Sequence, residues 1–221
     1  MGVTLGVSSS LAPSLDLRLT GSLFSHSFRF SSSGFDAIAR LRFASGRASL
    51  DDYPFHKAFR ISPGVLFYNQ NRTTAADTIE PGSSFTLNGD TFYSARTNER
   101  TGASPVNGTA LSNLHAIRPA FTITAGWGRV VSRTGHWSFP TEIGVALVGA
   151  PKVNVNLLGW ACRDRAETQC ANIATPNDRL AVQVQSDLRT ETGKWAQDLN
   201  PLKTYPIISS GISYSFGTVR R

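Results

Sequence analysis

Two-residue alternation, repeated along most of the chain, is the feature that most limits what this sequence can fold into. In YPIISSGISYSF, near the end, Ile208, Ile212, Tyr214 and Phe216 fall on even positions, while Ser209, Gly211, Ser213 and Ser215 fall on odd ones. Successive side chains of a β-strand point to opposite faces, so this stretch presents one oily face and one of small polar groups. A soluble sheet turns the oily face to a core. A membrane barrel turns it to lipid and keeps the small polar face for its lumen.

The same parity runs through six more segments. Leu15, Leu17, Leu19 and Leu23 oppose Asp16, Arg18, Thr20 and Ser22; Phe35, Ala37, Ala39, Leu41 and Phe43 oppose Asp36, Ile38, Arg40 and Arg42. FRISPGVLFY sets Phe59, Ile61 and Val65 against Arg60, Ser62 and Gly64, and IRPAFTITAGWG sets Phe121, Ile123 and Trp127 against Arg118, Thr122 and Thr124. The longest run, Trp137 to Leu157, keeps Ile143, Val145, Leu147, Val153, Val155 and Leu157 on one parity, with Glu142, Gly144, Asn154 and Asn156 on the other. That reading carries one register across Gly149-Ala150-Pro151. With VTLGVSS, seven strands are legible.

The polar parity collects Asp16, Arg18, Asp36, Arg40, Arg42, Arg60, Arg118 and Glu142 within strands. In a narrow barrel such charges pair across the lumen and fill it, and the planar fork of arginine suits carboxylate partners. These eight residues are the expected lumen charge network, with Val145 facing lipid and Gly144, on the lumen side, expected to tolerate a small side chain. A lipocalin-like soluble ligand-binding barrel, with apolar interior and polar exterior, inverts the same alternation and is the soluble alternative.

Composition narrows the classes. Only 17% of the 221 residues are charged, 19 are Gly and 11 are Pro, and no window holds the roughly 18 apolar residues of a membrane helix. The net charge of +7 comes from dispersed arginines and not from a basic cluster, which argues against nucleic acid. Cys162 and Cys170 lie in one polar loop and are expected to form a local disulfide in an oxidising compartment. Two free thiols or half a metal site are the alternatives, and no second ligand pair stands nearby to complete a metal site.

Connector lengths orient the barrel. Counting back from Phe216, the long connectors over 70–115 and 161–202 fall outside, and LAPS, DDYPFHK and SRTGH become short periplasmic turns, as in membrane barrels. Phe59, Trp127, Trp137, Phe139, Tyr214 and Phe216 then form a periplasmic aromatic belt, with Phe28, Phe30, Phe35, Phe67 and Tyr205 at the opposite interface. Within 70–115, Asn88-Gly89 or Gly89-Asp90 between alternating runs predicts a hairpin. Within 161–202, Leu180, Val184, Leu188, Trp195 and Leu199 predict an amphipathic helix between Pro176 and Pro201. The expected fold is thus all-β: one domain, 1–221, forming an antiparallel up-and-down transmembrane β-barrel of about eight strands, with one amphipathic helix in a long loop. An even strand number predicts one further ascending strand and a signal peptide before Met1; the rival reading splits the long run at Gly149-Ala150-Pro151.

RISPGVLFYN, LNGDTFYS, TAGWGRVV, SFPTEIGVALVGAPKVNVNLLG, the cysteine pair and the closing YPIISSGISYSF resemble an acidobacterial-type family of bacterial outer-membrane β-barrel proteins. The resemblance spans Thr4 to Phe216 and implies Sec export, an outer-membrane location and, from Tyr214 and Phe216, a C-terminal signal read by the barrel assembly machinery. GTVRR follows Phe216, where the family pattern stops at the aromatic. The resemblance transfers no catalytic or binding residue.

Chemistry is not legible. Of the histidines, His56 and His136 fall in periplasmic turns and His26 and His115 near the outer rim; Ser112 lies close to His115, and Glu99 or Asp90 is the nearest candidate acid. No spacing assembles these into a triad. The expectation is a monomer in contact with outer-membrane lipid, with a structural, interaction or small-solute role, no cofactor, no metal and no enzymatic activity. A lipid-modifying hydrolase is the enzymatic alternative. The sequons at Asn71 and Asn107 read as plain turn residues.

Overall fold

The computed structural model describes residues 2–32, 35–55, 57–114, 117–133 and 135–216. The wall begins with three long strands, β1 (Gly2–Ala12), β2 (Leu15–Ser32) and β3 (Phe35–Asp52). Next come β4 (Phe59–Asn69) and β5 (Arg72–Thr78), the hairpin β6 (Ser84–Leu87) and β7 (Asp90–Ser94), and then β8 (Asn107–Asn113) and β9 (Ala120–Trp127). A two-residue β10 (Trp137–Ser138) precedes β11 (Thr141–Leu147) and β12 (Lys152–Leu158), followed by β13 (Trp160–Cys162) and β14 (Cys170–Asn172). Helix α1 (Arg179–Asp198), a 3-10 turn, β15 (Thr204–Ser210) and β16 (Ser213–Tyr214) complete the chain. No described helix is long and apolar enough to cross a membrane.

Ten of these strands form one antiparallel sheet, curled into a half-barrel. The expected count was about eight. The surplus arises because the run from Trp137 to Leu157 is broken in two, and because β5 and β8, inside the expected 70–115 connector, carry the wall on beyond β4 and β9. β4 and β5 both lie against β3, with Asn69 opposite Ser45 and Arg72 opposite Arg42. β9 and β8 follow them on the other side, and β11 and β12 follow β9 and β8 in turn. The segment over 70–115 is therefore wall at both flanks and loop only between them. At the end that carries the cap the sheet stops at β2 and β12, and at the opposite end at β1 and β15. A cavity of about 960 Å³ separates β1 from β15, lined by Thr4, Gly6 and Ser8 of the one and by Ser209 and Ser210 of the other. It is roomy and polar enough for water to meet the free edge groups.

The breaks change which parity faces inward. In β4 the buried residues are the even Arg60, Ser62 and Leu66 as far as a bulge opposite Gly46 and Arg47; past it they are the odd Asn69 and, beyond the strand, Asn71. In β11 the buried Glu142 and Ala146 are even and Ile143 is 62% exposed, whereas in β12 the odd Leu157 is only 2% exposed. The single register expected across Gly149-Ala150-Pro151 is thus corrected. Gly149 has φ +78°, and the extra residue of this bulge turns β12 over. The run nevertheless continues in one direction, so no hairpin splits it there.

Beyond the breaks the wall carries a small cap. β6, β7, β13 and β14 form a second, four-stranded sheet, on which α1 packs. Ile79, Phe85, Leu87, Phe92, Val106 and Leu157 bury against Leu180, Val184 and Leu188 of the helix. The β6–β7 turn takes the first of the two expected positions, with Asn88 and Gly89 both at positive φ, as a two-residue hairpin of this type requires. Asp178 caps α1 by accepting from the backbone N–H groups of Leu180 and Ala181. Cys162 and Cys170 are disulfide-bonded and clamp the β13–β14 hairpin.

Candidate functional site

At the end of the barrel remote from the cap, the inner face is charged. Arg60, Gly126, Glu142 and Ser209 stand side by side across β4, β9, β11 and β15. Gly126 makes room for its neighbour: a Cβ there would lie 2.7 Å from Arg60 Cζ. Arg60, 1% exposed, donates to the carbonyl oxygens of Trp127, Gly128 and Thr141. Glu142 is the hub. Its Oε2 accepts from Arg18 Nη2 at 2.7 Å and from Thr124 Oγ1 at 3.3 Å. Its Oε1 accepts from Arg47 and, at 3.0 Å, from Ser209 Oγ. Arg60 Nη2 stands 3.7 Å away. Arg18 also pairs with Asp51 at 2.9 Å, and Asp16 lies beside Asp51 in register.

Below this cluster Tyr53 closes the floor. Its backbone N–H donates to Ser14 O, its hydroxyl accepts from Val130 N–H, and the Arg129 guanidinium lies 4.4 Å from its ring centroid. Three arginines and three carboxylates thus fill the bottom of the lumen; Arg18, Arg47 and Arg60 all stand within ion-pair reach of Glu142, and Asp51 pairs with Arg18, as buried ions require.

Asp16, Arg18, Arg60 and Glu142, among the eight expected lumen charges, come together here. Arg40 and Arg42 do not: they are exposed on the outer face of β3, where it pairs with β5. The same face of β3 that meets lipid lower down meets water at this height, so polar side chains belong outside. Arg118 is exposed between β8 and β9 and is likewise not in the cluster. The side chain of Asp36 lies outside the described residues. The reading missed Arg47, Asp51 and Tyr53. The alternation of Arg47, Ser49 and Asp51 against Ala48 and Leu50 is the signal for them, beginning four residues past Phe43, where the expected strand ends.

The outer face at this level is apolar. Ile123, Ile143, Leu147 and Ile208 are all exposed, Ile208 at 75%. Trp127 packs edge-on to Phe59 at 5.6 Å, and Tyr214 lies 4.9 Å from both Trp137 and Phe216, with Phe139 exposed nearby in sequence. At the opposite interface Phe67 is exposed, whereas Tyr205 turns inward and its hydroxyl accepts from Asn71 Nδ2. The side chains of Phe30 and Phe35 are not among those described. One further expectation is corrected. Gly144 has no room for a side chain, because a Cβ there would lie 2.1 Å from Ile123 O.

Nothing described assembles a hydrolytic site. His26 stacks near Phe24 and Phe28, and His136 stacks on Tyr214. His56 and His115 lie outside the described residues. Asp90 accepts from Gln183 of α1. Among the described residues no group of His, Cys, Asp and Glu could hold a metal.

No protein-family model matches the chain. No curated protein matches it either. Two solved structures from Acinetobacter baumannii share its fold. One is CarO, at TM-score 0.56 and 15% identity; the other is CarO2, at TM-score 0.56 and 16% identity. Each alignment covers 97% of this chain and 95% of the other. The likeness is one of fold. That fold is a small β-barrel, and its apolar outer band and charged lumen are those of a barrel wall that faces lipid.

Proposed function

We propose that this chain is a plugged outer-membrane barrel whose role is structural or interactive: a membrane anchor that presents a disulfide-clamped cap outside the cell. The observation that carries this reading is Glu142, which accepts from Arg18 and Arg47 with Arg60 alongside. A barrel of about this size has an interior just wide enough for side chains, and here arginines and carboxylates occupy it. An open solute path is disfavoured for that reason. The protein works as a monomer among outer-membrane lipids after the barrel assembly machinery has folded it, and it engages no nucleic acid and runs no reaction. Its motifs set it beside the acidobacterial-type barrels. Planar-bilayer recordings of the purified protein test the plug: the expectation is no steady conductance, and a sustained porin-scale current would sink it.

A further inference from the structure

We propose that the cap holds a binding site for a small, non-anionic hydrophobic molecule, in the cavity beneath the second half of α1. The cavity measures about 360 Å³, within the 300–1,000 Å³ of small-molecule sites. A cube of that volume is about 7 Å on edge, narrower than the 10–12 Å of a helix, so a helix of another protein does not fit.

Its floor is the inner face of the upper wall. Ala39, Ala75, Ala110 and Val155 form one row across β3, β5, β8 and β12. Ala75, Ala110 and Val155 line the cavity, with Leu157 next along β12. Its roof is the helix. Leu180, Val184 and Leu188 are buried in the core of the cap, but the apolar stripe runs on to Trp195 and Leu199, which are only half-buried and line the cavity. Protein interiors are close-packed, and an apolar gap left unfilled costs stability. Here Ala75 and Ala110 face Leu188, Trp195 and Leu199 across such a gap. Asp77 and Asp198 also line it, which makes it a poor host for an anion.

The cavity shares no lining residue with the Glu142 cluster. Along the wall, the buried Leu66, Ala120, Ala146 and Val148 come between the two. It is therefore a terminal site, entered from the cap, and not a stage on a path through the barrel.

The test uses the full chain in lipid nanodiscs, labelled with 5-fluorotryptophan, and the probe benzyl alcohol. The resonance of Trp195, assigned with W195F, should shift to saturation. Those of Trp127 and Trp137, which face lipid, should drift linearly as the probe partitions. Benzoate should leave Trp195 unmoved. Ala110→Leu, which fills the cavity, should weaken binding at least about tenfold, whereas Asn156→Leu, on the outer face of β12, should not. A Trp195 resonance that never saturates overturns the proposal even if A110L fails to fold. Equal binding in A110L and wild type, or equal binding of benzoate, overturns it as well.

Discussion

The lower and upper halves of the wall are built from the same runs of chain, yet their polarity is opposite. Low on the wall, Ile123, Ile143 and Ile208 face outward, and Arg18, Arg47, Arg60 and Glu142 face inward. Higher up, Arg40, Arg42, Asn154 and Asn156 face outward, and Ala37, Ala39 and Leu157 face inward. The lower half is solvated by lipid and the upper by water, and each turns its oily face accordingly. The changeover is made in two ways. On β3 the parity is constant and the chemistry changes along it. Between β11 and β12 the apolar parity is constant, and the bulge at Gly149 changes the face it points to.

Deleting Ala150 should do the most damage to this arrangement. Removing the extra residue slips β12 by one and turns Val153, Val155 and Leu157 outward, while Lys152, Asn154 and Asn156 enter the cap. The cap should lose more than about 4 kcal/mol, the range reached only by failures of core packing or buried polarity. Limited proteolysis should cut within 161–202, while the lower half keeps its heat-modifiable migration. A protease-resistant cap in this variant would mean that the bulge does not set the face. Next in size is Glu142→Ala, which leaves buried arginines uncompensated at a cost of about 3–5 kcal/mol. Removing Arg47 together with Glu142 should cost less than the sum of the two single changes. Additivity in the denaturant-unfolding cycle would dissolve the cluster as an energetic unit.

What the sequence made legible divides along the same boundary. A period of two and one inversion-free rule, oily out and polar in, locate Arg18, Arg60 and Glu142 correctly because those residues lie at lipid height. Applied to Arg40 and Arg42, the same rule puts them in a lumen, because nothing local in FDAIARLRF marks the height at which lipid gives way to water. Bulges are equally silent: the alternation from Ile143 to Leu157 is unbroken in sequence while the strand turns over in space. Local chemistry fared better. Asn88-Gly89 fixes its own turn, and Pro176 and Pro201 bracket α1, without reference to either solvent. The network partners Arg47 and Asp51 come from parity again, once β3 is followed to its end at Asp52.

A matched pair of arginines sharpens the contrast in solvent. Ile143→Arg places a charge on the lipid face near mid-strand and should cost about 2–4 kcal/mol. Asn154→Arg places the same charge on the outer face of the same run, beyond the bulge, beside exposed polar neighbours. It should change stability by no more than about 0.5 kcal/mol. Folding into lipid vesicles, followed by urea titration, measures both. Similar costs at the two sites would mean that one solvent surrounds the whole wall.

Loss of the disulfide asks whether the two halves are stabilised independently. Cys162 and Cys170 are eight residues apart, and closing so short a loop contributes about 2–3 kcal/mol through the unfolded state. The bond joins β13 to β14 inside the cap and touches no strand of the lower wall. Replacing both cysteines by serine should therefore lower the protection of cap amides, those of Ala161 and Ala171 first, in hydrogen exchange. Amides of β9 and β11 at lipid height should exchange as before, because their hydrogen bonds lie in a sheet whose stability rests on lipid and the Glu142 cluster. If the loss of protection instead spread evenly into β9 and β11, cap and barrel would be one cooperative unit. The inversion of polarity would then mark a change of solvent without marking a boundary in stability.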